Sequence, residues 1–142
     1  MLFESFSQED TIFMGEVLAQ GAKSGEVYVL CGNLGVGKTV FAKGFAQGLG
    51  IDVPVVSPTF TILNEYHQGW LPLYHFDVYR ITSADDMEDT GYEEYFYGSG
   101  VCLVEWGELV AGVIPLGSKW IRLEKDTAKG EAYRRIRMEV VL

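Results

Sequence analysis

Gly32-Asn33-Leu34-Gly35-Val36-Gly37-Lys38-Thr39 fits G-x-x-x-x-G-K-[ST], the phosphate-binding loop of nucleoside-triphosphatases. Each fixed position has a physical job. The glycines allow a tight, partly left-handed backbone whose N–H groups turn inward around phosphate oxygens. Lys38 brings a compact positive charge to the β and γ phosphates, and the Thr39 hydroxyl is expected to ligate Mg²⁺. A helix starting here points the positive end of its dipole at the same phosphates. The flanks agree with this reading. Val27-Tyr28-Val29-Leu30-Cys31 is apolar and β-prone, and Phe41, Phe45 and Leu49 then recur at helical spacing with Ala42 and Ala46 beside them. Strand, glycine loop and helix make Asn33, Leu34, Gly35, Val36, Gly37, Lys38, Thr39 and Val40 the expected nucleotide-binding segment.

At 142 residues the chain, 1–142, is expected to be a single domain, of a size that buries about 68% of its unfolded surface. A hydrophobic share of 48% describes an ordinary soluble globule. No apolar run reaches the roughly 18 residues of a membrane span, and the N-terminus lacks the basic and apolar pattern of a signal peptide. Cys31 and Cys102 sit in apolar runs without C-x-x-C spacing, which suits buried free thiols in a reducing cytoplasm. The net charge of −9 argues against nucleic acid held on this chain's own surface. The basic cluster Arg134, Arg135 and Arg137 reads as the solvated face of an edge strand.

Outward from the loop, Ser7 caps an expected helix from Ser7 to Gln20, with Ile12, Phe13, Val17 and Leu18 as its apolar residues and Gly21 as its stop. The loop helix runs from Lys38 to Leu49. Phe60 to Tyr66 and Trp70 to Tyr79 read as a hairpin around His67-Gln68-Gly69. Ser83 to Asp89 is a short acidic helix, Val101 to Val104 a strand buried on both faces, and Glu108 to Val113 one or two helical turns. Near the C-terminus Ile121, Leu123, Ile136, Met138 and Val140 alternate with Arg122, Glu124, Arg135, Arg137 and Glu139, an antiparallel pair with one wet face. The expected architecture is a three-layer α/β P-loop domain with a mostly parallel central sheet and antiparallel strands at the edge.

A phosphate loop binds nucleotide; hydrolysis also needs an acid at the end of a buried strand. Glu105 follows Val101–Val104, and Asp77 follows Leu73-Tyr74-His75-Phe76. Both are expected at the carboxyl ends of strands, where an α/β sheet binds its ligand. Glu105 is read as magnesium-proximal or water-orienting and Asp77 as linked to the metal. Glu108 reads as a solvated acid at a helix start. The turn Ser57-Pro58-Thr59 offers two hydroxyls to the γ-phosphate or its Mg²⁺. His67 and His75 have no third ligand for zinc at suitable spacing. Trp106 reads as cover for the core.

The ordered set of P-loop, Ser57-Pro58-Thr59-Phe60, His75-Phe76-Asp77-Val78-Tyr79-Arg80 and Val104-Glu105-Trp106 resembles the TsaE (YjeE) family, small bacterial ATPases of tRNA threonylcarbamoyladenosine synthesis. The likeness runs from the first helix to about Val113. It implies ATP and Mg²⁺ as ligands, with Thr39, Asp77 and Glu105 near the metal. It further implies catalytic roles for Glu105, Lys38 and a switch-like Thr59, and a functional Trp106 at the nucleotide. It also implies work with TsaB and TsaD subunits, with tRNA contacted only indirectly, no membrane, and slow ATP hydrolysis that resets the complex and is stimulated by partners. Asn33 and Val36 depart from the family's commoner acidic residue and alanine, at variable loop positions.

Two other functions compete. A small-molecule kinase needs an acceptor pocket and a mobile lid with arginines, for which only Arg80 is available. A GTPase needs the guanine-reading N-K-x-D element, which the sequence lacks.

Overall fold

The computed structural model describes residues 1–58 and 61–141. They build a seven-stranded sheet of order β1-β7-β6-β2-β5-β4-β3. The strands are β1 (Leu2–Ser5), β2 (Val27–Cys31), β3 (Leu63–Tyr66), β4 (Leu73–Asp77), β5 (Val101–Glu105), β6 (Lys119–Glu124) and β7 (Arg134–Val140). The central four, β6-β2-β5-β4, are parallel, and β1, β7 and β3 join antiparallel at the two edges. Every residue of β2 and β5 is buried. Such uniformly apolar strands are stable only where helices cover both faces.

Helices α1 (Gln8–Gln20) and α2 (Lys38–Gly48) cover one face; α3 (Ala84–Glu88), α4 (Tyr92–Phe96) and a kinked 3₁₀ segment, Gly107–Val113, stand on the other. Phe41, Phe45, Leu49, Leu30, Leu103 and Ile121 fill the first interface; Phe76, Phe96, Met87 and Val104 fill the second. Side chains of this size contribute about 1.5–3 kcal/mol each on full burial. The three-layer expectation and the hairpin of β3 and β4 agree with this arrangement.

Four readings change. Residues 2–5 form an unforeseen edge strand, so β7 lies between β1 and β6 and is not an edge. A second short helix, α4, follows Gly91. The loop helix ends at Gly48. Phe13 and Val17 of α1 are exposed, while Thr11, Gly15 and Ala19 are buried. The reason is close approach. A Cβ on Gly15 would lie 2.6 Å from the Phe41 carbonyl oxygen, so α1 meets α2 along its smallest side chains and turns its aromatic face outward. Of the expected apolar residues, Leu18 packs against the core and Ile12 is partly buried, so hydrophobicity misplaced only Phe13 and Val17.

Candidate active site

β5 and β6 pair with opposite edges of β2, so the chain order switches sides at the strand that feeds the phosphate loop. Crevices outside the carboxyl ends of strands at such a point are the usual ligand sites of α/β sheets. A cleft of about 760 Å³ lies there. Its walls include Leu34, Gly35, Val36, Gly37, Lys38, Thr39 and Val40, together with Asp77, Glu105 and Trp106. Asn33 does not line it; it is exposed at the loop tip, where its carbonyl accepts the Val36 N–H at 3.2 Å. Thr59 lies outside the described residues.

Gly37, the N-cap of α2, has φ 107°, a left-handed conformation that disfavours any side chain. No side-chain cap closes this helix end, which leaves the first turn's N–H groups to an anion. Gly32 is needed for space: a Cβ there would lie 2.7 Å from the Leu123 carbonyl oxygen. Arg134 fixes the loop from the other side, its Nε donating to the Val36 carbonyl at 2.6 Å. Arg135 and Arg137 instead pair with Asp126 and Glu124.

Lys38 is buried. Its Nζ donates to the Gly32 carbonyl at 2.7 Å and stands 3.4 Å from the centre of the Trp106 ring. Burial lowers its pKa; the Glu105, Glu108 and Asp77 carboxylates push it back up. Trp106 has φ 64°, and its ring also meets that of Tyr79 at 4.8 Å. It packs against the second core cluster and lines the cleft, so the core reading was half of its role.

Asp77 and Glu105 are register partners at the ends of β4 and β5, on the α2 side of the sheet. The Ser57 hydroxyl lies 3.3 Å from Asp77 Oδ2 and 3.4 Å from Glu105 Oε2. Parallel pairing and strand alternation put the two acids side by side, as their strand-end positions suggest. Glu108 is half-buried, not a solvated acid; its Oε1 is buried without a partner among the described residues, and Cys31 is nearby.

Sequence reasoning passed over His75 as an actor in this site. Its Nε2 lies 2.7 Å from Glu105 Oε2, and both side chains are almost wholly buried. Period-two alternation along β4 puts His75 on the same face as Asp77, a signal that was present in the sequence. His67 is exposed beside Glu65. Ser7, Thr11, Tyr79, Arg80 and Glu131 also line the cleft, brought there by α1 and the loops in ways no local pattern announces.

The residues fit Mg²⁺. Among the described residues no cluster of three His, Cys, Asp or Glu side chains could hold a metal by itself. Mg²⁺ asks for less: one or two carboxylates, a hydroxyl and the phosphates, with waters completing the shell. Thr39, Asp77 and Glu105 line one cleft and could supply such donors.

A sequence model of the family described as "Threonylcarbamoyl adenosine biosynthesis protein TsaE" matches residues 5–136. The chain belongs to the TsaE family. The match extends into β7, beyond the Val113 limit suggested by the motifs. Two curated relatives, both named tRNA threonylcarbamoyladenosine biosynthesis protein TsaE, are similar over most of the chain. That of Bacillus subtilis is 52% identical over 80% of this chain and 70% of its own length. That of Treponema pallidum is 51% identical over 78% of this chain and 82% of its own. The crystal structure of Bacillus subtilis YdiB superposes with a TM-score of 0.85 at 41% identity, covering 100% of this chain and 86% of that one. TsaE membership ties this chain to threonylcarbamoyladenosine biosynthesis.

Proposed function

We propose that this TsaE-family chain, residues 1–142 acting as one unit, is a magnesium-dependent ATPase that works with TsaB and TsaD in threonylcarbamoyladenosine modification of tRNA. What carries the reading is one convergence: Lys38 and Thr39 at the start of α2 face the same cleft as the paired strand-end acids Asp77 and Glu105. The loop amides and Lys38 hold the β and γ phosphates. Thr39, Asp77 and Glu105 would hold Mg²⁺, which would neutralise the charge that develops on the phosphate oxygens. Glu105 orients the attacking water and accepts its hydrogen bond; Trp106 closes the site beside Lys38. The role of Thr59 is the switch-like one that the family resemblance implies.

Hydrolysis by the isolated chain is slow and resets the partner complex between rounds. The acidic surface leaves tRNA to the partners, in the cytoplasm. ATP turnover measured with Mg²⁺, in the presence and absence of TsaB and TsaD from the same source, tests this. Slow basal turnover that rises with the partners is expected. An unchanged rate would remove the partners from the proposal, and no ATP turnover in either state would remove the ATPase.

A further inference from the structure

His75 occupies a position that packing alone does not explain. It is 0% exposed, on a strand whose neighbouring core residues Leu73, Phe76 and Leu103 are apolar and fully buried. A buried imidazole is costly unless its nitrogens are hydrogen-bonded, and each unmet group costs about 1–3 kcal/mol. Here Nδ1 is buried with no partner among the described residues, while Nε2 meets Glu105 Oε2 at 2.7 Å. A hydrocarbon of similar size would serve the fold at least as well. What the ring does provide is a donor for a carboxylate that is itself only 3% exposed.

We propose that His75 is a positioning residue for Glu105, an inference that rests on the ATPase reading. The ring's Nε2–H donates a hydrogen bond to Oε2, which leaves Nδ1 as the nitrogen without a partner among the described residues. This bond, with the Ser57 hydroxyl near the same oxygen, fixes the carboxylate's rotation and turns Oε1 toward the attacking water in the cleft. The ring's contribution is orientation, in the way that outer-shell partners hold a reacting carboxylate, and losing such a partner typically costs about ten- to a hundredfold in activity.

The test compares His75→Phe with His75→Gln, whose side-chain amide reaches the place of Nε2. With Mg²⁺–ATP, His75→Phe should lose about ten- to a hundredfold in kcat while KM and the dissociation constant of a fluorescent ATP analogue stay within about threefold. His75→Gln should recover most of kcat. A purely structural histidine would instead lower the melting temperature of both variants and leave turnover per folded molecule unchanged, and that result overturns the proposal. So does a Gln variant that folds and binds like the parent yet recovers nothing. Because the chain has two histidines, the ¹⁵N spectrum of histidine-labelled parent, assigned with His67→Gln, reads the tautomer without any variant at His75. A ring protonated on Nε2 is expected; one protonated on Nδ1 alone, which cannot donate to Glu105, overturns the proposal even if His75→Phe does not fold. A parent that does not hydrolyse ATP under any condition brings down the ATPase reading itself, whereas an active parent with an equally active His75→Phe brings down only this inference.

Discussion

Lys38 holds two attachments with which a triphosphate must compete, the Gly32 carbonyl at 2.7 Å and the face of Trp106 at 3.4 Å. On the proposed ATPase reading, an ion pair with phosphate would outcompete both, since neither existing partner carries a full negative charge, and the lysine already stands close to that working place. Lys38→Ala should therefore weaken ATP binding about ten- to a hundredfold, the worth of a hydrogen bond to a charged group. Glu105→Ala should keep binding within a few-fold and lower turnover about a hundredfold or more. Equilibrium binding and steady-state hydrolysis, measured on both variants, separate the two roles; a hydrolytically normal Glu105→Ala refutes the catalytic assignment. Asp77→Ala should raise the Mg²⁺ concentration needed for half-maximal turnover. An unchanged magnesium titration would reduce Asp77 to a cap on the turn after β4, where its Oδ1 accepts the Tyr79 N–H at 3.0 Å.

The packing of α1 on α2 ties the fold to the site, because α2 presents Lys38 and Thr39 at its first turn. Gly15→Ala sets two effects against each other. Alanine gains about 1 kcal/mol of helix propensity over glycine. A Cβ 2.6 Å from the Phe41 carbonyl oxygen and 2.7 Å from the Phe45 nitrogen, however, forces two backbones apart, and overpacking of this kind costs about 1–3 kcal/mol. The net effect should be destabilising, read as a lower denaturation midpoint, and displacement of α2 should weaken ATP binding as well. A stabilised Gly15→Ala would show that α1 can move away freely. At this scale the sequence was only partly legible. The cap Ser7 and the alternation of β6 and β7 are local signals and read correctly. The buried face of α1 depends on which neighbour comes within van der Waals contact, so Phe13 and Val17 misled.

Across the whole molecule, two buried thiols and a buried phenol favour the fold less as pH becomes alkaline. Burial raises both Cys31 and Cys102 from 9.0 to about 12, and raises Tyr28 as well. The fold favours their protonated forms. Their contribution is complete below the unfolded-state pKa near 9 and is lost as pH rises toward 12, because the unfolded chain releases protons that the folded chain retains. Each thiol removes about 1.4 kcal/mol per pH unit in that window. Lys38, shifted down, acts in the opposite direction but is a single group. Denaturant midpoints in reducing buffer should fall steadily above about pH 9. A flat profile would mean that water reaches the thiols in the native state.

The sequence by itself determined the loop, the strands that carry Asp77 and Glu105, the three-layer class and the family likeness. These depend on local backbone chemistry and on periodicity, and both are written within a few residues of one another. The tertiary structure alone decided that β1 covers β7, that Arg134 braces the loop at Val36, and that Trp106 receives Lys38. It also decided that His75 meets Glu105 across two strands separated by the whole α3–α4 excursion. Contacts of that range are selected by chain topology and packing, and no pattern local to either partner encodes them.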